Sequence, residues 1–177
     1  PDIKKIKIIS GIVNADLDVT FTVMKKASPS LKIKGLVNVQ DLLLKDIWNG
    51  TDMLKGLNGS ALVKEFDLFN KLLQVDSLNT TKGTVDIRLS KDQKECSTFF
   101  VPANSRKNDF KVELSNISCE DLAVNFYDLI NRNNYFFSRS NITVDNYKNK
   151  GGEPSAFTAS GTANGLGYIT SSGKFDL

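Results

Sequence analysis

Apolar and polar residues alternate with a period of two along most of the chain. Leu17, Val19, Phe21 and Val23 are separated by Asp18, Thr20 and Thr22; Val85, Ile87 and Leu89 alternate with Thr84, Asp86 and Arg88; Leu122, Val124 and Phe126 alternate with Ala123, Asn125 and Tyr127. Each pattern predicts a half-buried strand. Residues 3–13, 31–39, 60–66, 74–79, 110–117, 135–144, 156–163 and 168–177 complete the set, separated by Asn, Gly and Asp turns. So many short strands predict a mainly β fold, a curved antiparallel sheet or meander of groove-like or sandwich-like form.

One or two short helices are expected beside it. In FDLFNKLL, Phe66, Phe69 and Leu73 recur at intervals of three and four after Asp67, and Leu43, Leu44 and Ile47 share a face within 41–48. The stretch 120–130 fits helix or strand, and strand is the preferred reading. The texture breaks in the polar loop 91–109, which carries Pro102 and the apolar triplet Phe99, Phe100 and Val101. A linker between independent domains usually lacks such a triplet, so residues 1–177 are read as one β-rich segment with a softer boundary in that loop. Six of the 12 glycines fall between 151 and 173, where SGTA at 160–163 and SGKF at 172–175 place Gly inside strand-like sequence. Gly there marks bulges or bends that let a sheet curve.

Composition narrows the chemistry. At 177 residues, 40% hydrophobic and 24% charged, the chain is ordinary globular material, long enough for a core without disulfide staples. It contains no His and only two Cys, Cys96 and Cys119. His-based triads, His zinc motifs and four-Cys sites are thereby excluded, and neither thiol has a His base to activate it. The two cysteines could form one disulfide in an oxidising compartment, or remain thiols. No cofactor motif is present: GTANGLG (161–167) lacks the dinucleotide-binding spacing, and GLNGS (56–60) lacks a phosphate-loop Lys. Asp16 and Asp18 fall on the polar side of a strand and are read as solvated. The expectation is a protein that is not an enzyme.

The formal charge is +3, with Arg only at 88, 106, 132 and 139, which does not make a nucleic-acid footprint. No run reaches the roughly 18 apolar residues of a membrane helix, and no secretory signal is visible. The chain opens at Pro1 and stops within a strand-like stretch, so it is expected to be a segment of a longer protein. Five Asn-x-Ser/Thr sequons, at Asn49, Asn58, Asn79, Asn116 and Asn141, are a modest excess for so Asn-rich a chain. The Lys-rich, Arg-poor usage equally suits a bacterium of low GC content, and that reading is preferred.

Three passages carry a family resemblance. LVKEFDLFNKLLQVDSLNTTKGTVDIRL (62–89), FKVELSNISCEDLAVNFYDLINRNNYFFSRSNITV (110–144) and the closing stretch 161–177 ending SSGKFDL resemble, in strand cadence, AsmA-like proteins of the bacterial envelope, especially those of Bacteroidetes. The resemblance covers about half the chain and implies a periplasmic protein acting in outer-membrane biogenesis. Its parent would be anchored in the inner membrane by a helix outside this segment. The wider family is similar to bridge-type lipid transfer proteins, in which a curved sheet forms a groove for acyl chains, so the implied ligand is phospholipid or another envelope lipid. Other envelope proteins are possible partners, and neither a cofactor nor a nucleic acid is implied.

The expected lining of such a groove is Val85, Ile87, Leu89, Leu122, Val124 and Phe126, with an ordinary closed core as the competing reading of the same residues. The alternative function is a β-sandwich interaction or adhesin module that binds through loops, with Phe99, Phe100 and Arg106 presented to a partner.

Overall fold

The computed structural model describes residues 6–24, 27–46, 50–91, 110–149, 153–165 and 167–175. They form eight strands: β1 (Ile6–Met24), β2 (Ala27–Asp46), β3 (Asp52–Asp67), β4 (Leu72–Leu89), β5 (Lys111–Asp128), β6 (Asn133–Lys148), β7 (Ser155–Ala163) and β8 (Gly167–Phe175). All eight belong to one sheet whose spatial order is the chain order. β1 and β8 are its edges, so the sheet is open and not closed into a barrel.

The mainly β expectation holds, with two corrections. The sheet is mixed, not antiparallel: β4 and β5 run parallel, in one unbroken register from Leu72↔Lys111 to Leu89↔Asp128. A parallel neighbour requires a connection that travels back the length of the strand, which two-residue turns cannot supply. The intervening loop 91–109, with Phe99, Phe100, Arg106 and Cys96, lies outside the described residues apart from Lys91.

The second correction concerns helix, of which there is none among the described residues. FDLFNKLL is a tight turn between β3 and β4. The Oδ1 of Asp67 accepts the N–H groups of Phe69 (3.0 Å) and Asn70 (2.9 Å), and its Oδ2 accepts the Asn70 amide (2.8 Å). Lys71 then turns the chain with φ of 52°. The carboxylate satisfies locally the donors that a helix would have carried onward, as Asx turns do. Within 41–48, residues 41–46 continue β2, and the rest lie outside the described residues. The stretch 120–130 is strand through Asp128.

Fewer, longer strands form than the alternation predicts, because irregular residues are absorbed as bulges within strands. Between β2 and β3, Val39 faces Gly59, Leu42 faces Leu57 and Leu44 faces Leu54. Thus β2 takes one extra residue at Asp41 (φ 49°), and β3 takes one at Gly56 (φ 64°). β5 and β6 repeat the device: Cys119 faces Ile142, Leu122 faces Ser140 and Val124 faces Phe137, with Asp121 (φ 51°) and Arg139 (φ 51°) as the extra residues.

In both hairpins an Asn pins the bulge. Asn58 Oδ1 accepts the Asp41 N–H at 3.0 Å, and Asn141 Oδ1 accepts the Asp121 N–H at 3.1 Å. The sequences between the paired strands are also alike, since Asp46-Ile47-Trp48-Asn49 and Asp128-Leu129-Ile130-Asn131 share the D-x-x-N pattern of the Asp67 turn, with residues 47–49 outside the described ones. The two hairpins are therefore an internal structural repeat, different from the SGTA/SGKF pair seen in the sequence.

Candidate functional site

Residues directly opposite across neighbouring strands point to the same face, so register reveals what each face carries. One line across all eight strands reads Ala15, Val37, Ala61, Leu78, Ile117, Val144, Phe157 and Gly173. The line one residue away, on the opposite face, reads Asn14, Asn38, Ser60, Asn79, Ser118, Thr143, Thr158 and Ser172. The sheet is thus amphipathic over its full width.

The apolar face continues along the strands. Toward one end come Leu17, Gly35, Val63, Val75, Leu114 and Tyr147, then Val19, Ile33, Phe66, Leu73 and Val112. Toward the other come Ile8, Leu44, Leu54, Val85, Val124 and Phe137. The paired bulges keep these two halves on one face. Between Val39 and Leu42, where β2 takes its extra residue, β3 steps regularly from Gly59 to Leu57; where β3 takes its own, β2 steps regularly from Leu42 to Leu44. Without one extra residue per strand, every side chain beyond the line would point to the polar side.

At the bulge line the face reads Gly11, Leu42, Leu57, Gly83, Leu122, Ser140 and Gly161, a glycine at every third strand. An added Cβ on Gly11 would meet Leu42 at 3.1 Å, on Gly83 it would meet Leu57 at 3.0 Å, and on Gly161 it would meet Ser140 at 2.9 Å. Leu57 and Ser140, close to these glycines, and Leu122, opposite Gly83, are buried, although no second layer covers the sheet among the described residues.

The six lining candidates are gathered by the parallel β4–β5 pair: Val85 faces Val124, Ile87 faces Phe126, and Leu122 faces Gly83. Leu89 stands at the end of its strand opposite Asp128. Leu122 is 4% exposed and acts as packing, while Val85, Ile87, Val124 and Phe126 are half-buried. Sequence reasoning missed the most open part of the face, on β1: Ile8, Val13, Val19 and Phe21 are 68%, 59%, 61% and 62% exposed. The strand was legible there, but the openness of its apolar side chains follows from the pairing, which leaves β1 at the edge of the sheet. Cys119 sits in the apolar row between Thr80 and Ile142, and its pairing with Cys96 lies outside the described residues.

The opposite face holds the ion pairs and polar links. Lys32 meets Glu65 (2.7 Å), Lys45 meets Asp52 (3.2 Å) and Lys111 meets Glu113 (2.6 Å), while Gln74 donates to Glu113 (2.6 Å) and Asn125 donates to Asp86 (2.7 Å). The hydrogen bond and charge of Glu65 raise the Lys32 pKa; those of Lys111, with Gln74, lower that of Glu113. Leu36 and Leu62 interrupt this polarity as an exposed apolar pair.

The turn carboxylates are also shifted. Hydrogen bonds from Asn70 and Phe69 hold the Asp67 pKa below the ordinary carboxylate value, and those from Asn131 and Ile130 do the same for Asp128. A depressed folded-state pKa contributes stability that is present above the unfolded value, near 4, and is lost as pH falls through the folded one. The double variant Asp67→Asn/Asp128→Asn is expected to melt several degrees lower at neutral pH. Thermal melts from about pH 4 downward should show a shallower acid decline than in the parent.

Comparison of the chain with protein-family models, with characterised proteins and with solved structures finds no match. Among the described residues no three His, Cys, Asp or Glu side chains gather as a metal site, and no helix is long and apolar enough to cross a membrane.

Proposed function

We propose that this chain is a non-enzymatic periplasmic segment of an AsmA-like envelope protein that shields or guides phospholipid along its apolar sheet face. The observation that carries the reading is that face: apolar rows cross strands of 16–20 residues and have no covering layer among the described residues. At about 3.3 Å per residue and about 4.8 Å per strand, β1–β6 alone span roughly 55 by 24 Å. That exceeds the few hundred Å² a soluble monomer ordinarily leaves apolar.

Bulges bend the strands that contain them, and a line of bulges across β1–β6 supports a sheet that curves into a trough. Acyl chains lying there would regain roughly 0.8 kcal/mol per methylene removed from water, without any catalytic group. The resemblance of the strand cadence to that of AsmA-like proteins supports the envelope setting and an inner-membrane anchor elsewhere in the parent.

The test is native mass spectrometry of the protein purified from a bacterial host, followed by lipid extraction. Phospholipid at a defined stoichiometry is expected, and it should be lost in Ile87→Asp and Val124→Asp variants that keep a β circular-dichroism spectrum. A clean apo mass, with no acyl-chain uptake when lipid is offered, would move the assignment to an interaction module that binds through its loops.

A further inference from the structure

We propose that the outer edge of β1 pairs with the same edge of a second copy of this chain, antiparallel about a two-fold axis at Ala15. The two eight-stranded sheets would then join into one continuous sheet with a common apolar face.

The two edges of the sheet differ. β8 is short, nine residues, and it contains Gly167, Gly173 and Lys174, the features that blunt an edge. β1 is 19 residues long, contains no Pro, and has Lys7 as its one Lys. Among the described residues no strand pairs with its outer side. Its apolar side chains remain far more open than those of β2 because they have a neighbour on one side only: Val13 and Val19 are exposed where their partners Val39 and Ile33 are half-buried.

The occupant that matches this edge is the edge itself. Centred on Ala15, antiparallel pairing sets Val13 opposite Leu17 of the second copy and Asn14 opposite its Asp16, so apolar residues meet apolar and polar meet polar. Relative to β2, β1 carries one extra residue at Ile9, between Ile8↔Leu44 and Ser10↔Leu43, and this shifts the register by one beyond Ser10. Gly11, which lies against Leu42 on the apolar face, meets Val19 before that point, and Ile8 meets Phe21 beyond it, which keeps the apolar face intact. No like charges oppose each other: Asp16 faces Asn14, and Asp18 is already engaged with Lys34 at 3.5 Å. A strand of this length offers an interface about 60 Å long and about 10 Å thick, roughly 600 Å² per partner, which approaches the size of a stable interface.

The register supplies the test. Paired residues across an antiparallel edge lie about 4.5 or 5.5 Å apart at Cα, and both distances admit a disulfide. In a Cys96→Ser/Cys119→Ser background, Ala15→Cys is expected to form a covalent dimer on mild oxidation, whereas Ser171→Cys on β8 is not.

By analytical ultracentrifugation at micromolar concentration the parent should be a dimer. Asn14→Asp, which opposes two pairs of carboxylates, should weaken it roughly tenfold, and Asn14→Lys should strengthen it. A parent that is monomeric throughout overturns the proposal. So does a dimer that is indifferent to both Asn14 variants and does not crosslink at position 15, because such a dimer would join through the apolar faces. Neither Asn14 variant touches the apolar face, so lipid retention in both separates this proposal from the lipid reading.

Discussion

Gly35→Ala is expected to cost more than about 4 kcal/mol, or to detach β1 from the sheet. Gly35 lies opposite Leu17 with φ of 140°, and a Cβ there would stand 2.1 Å from the backbone oxygen of Asp16. Two penalties combine: a backbone conformation closed to L side chains, and an overlap with main chain that has no rotamer to yield. Gly56→Ala separates them. Gly56 has φ of 64° and nothing within 4 Å of the added Cβ, so only the conformational term remains, about 1 kcal/mol. At 2–4 °C per kcal/mol for a chain of this size, thermal melts should fall by roughly 10 °C or more for Gly35→Ala and by a few degrees for Gly56→Ala. Similar melts for the two would mean that β1 does not pair with β2 in this register.

The alternation that revealed the strands is local, and so are the parts of the fold it revealed. The triplets at Val85, Ile87 and Leu89 and at Leu122, Val124 and Phe126 are strands, and the register brings them together. What the period could not show is partner order. The parallel pairing of β4 with β5 depends on the direction in which the chain returns, which no residue in either strand encodes.

Period counting also misleads at the Asp67 turn, because Phe66, Phe69 and Leu73 fit a helix equally well. The deciding group is the carboxylate that takes the Phe69 and Asn70 amides. The same D-x-x-N phrase recurs at Asp46 and Asp128, and that repetition was a signal available in the sequence. The bulge line had one as well: Gln40-Asp41-Leu42 and Glu120-Asp121-Leu122 are alike, each followed by an Asn across the hairpin. A carboxylate residue inside an alternating run looks like an ordinary outward-facing side chain, whereas at Asp41 and Asp121 the backbone, with φ of 49° and 51°, is the feature that matters.

Leu122→Asp and Val19→Asp should have opposite consequences, although both put a carboxylate on the apolar face. Leu122 lies between Gly83 and Ser140 on the bulge line, and its burial comes from the neighbouring strands. An unpaired charge there is expected to cost about 3–5 kcal/mol, comparable to or larger than the 2–5 kcal/mol of truncation to Ala. Urea unfolding should show the loss directly. Val19, 61% exposed on the edge strand, is already largely in water, so its Asp variant should change stability by no more than about 0.5 kcal/mol.

Lipid retention should rank the other way for folded protein. Val19→Asp would place a hydrated carboxylate where acyl chains are proposed to lie, and it is expected to reduce the bound lipid while the melt is unchanged. A Val19→Asp variant that retains lipid in full would confine the lipid path to β4–β5, around Val85, Ile87, Val124 and Phe126. A Leu122→Asp variant as stable as the parent would mean that the bulge line is solvated, and that the glycines at 11, 83 and 161 have some role other than seating the side chains beside them.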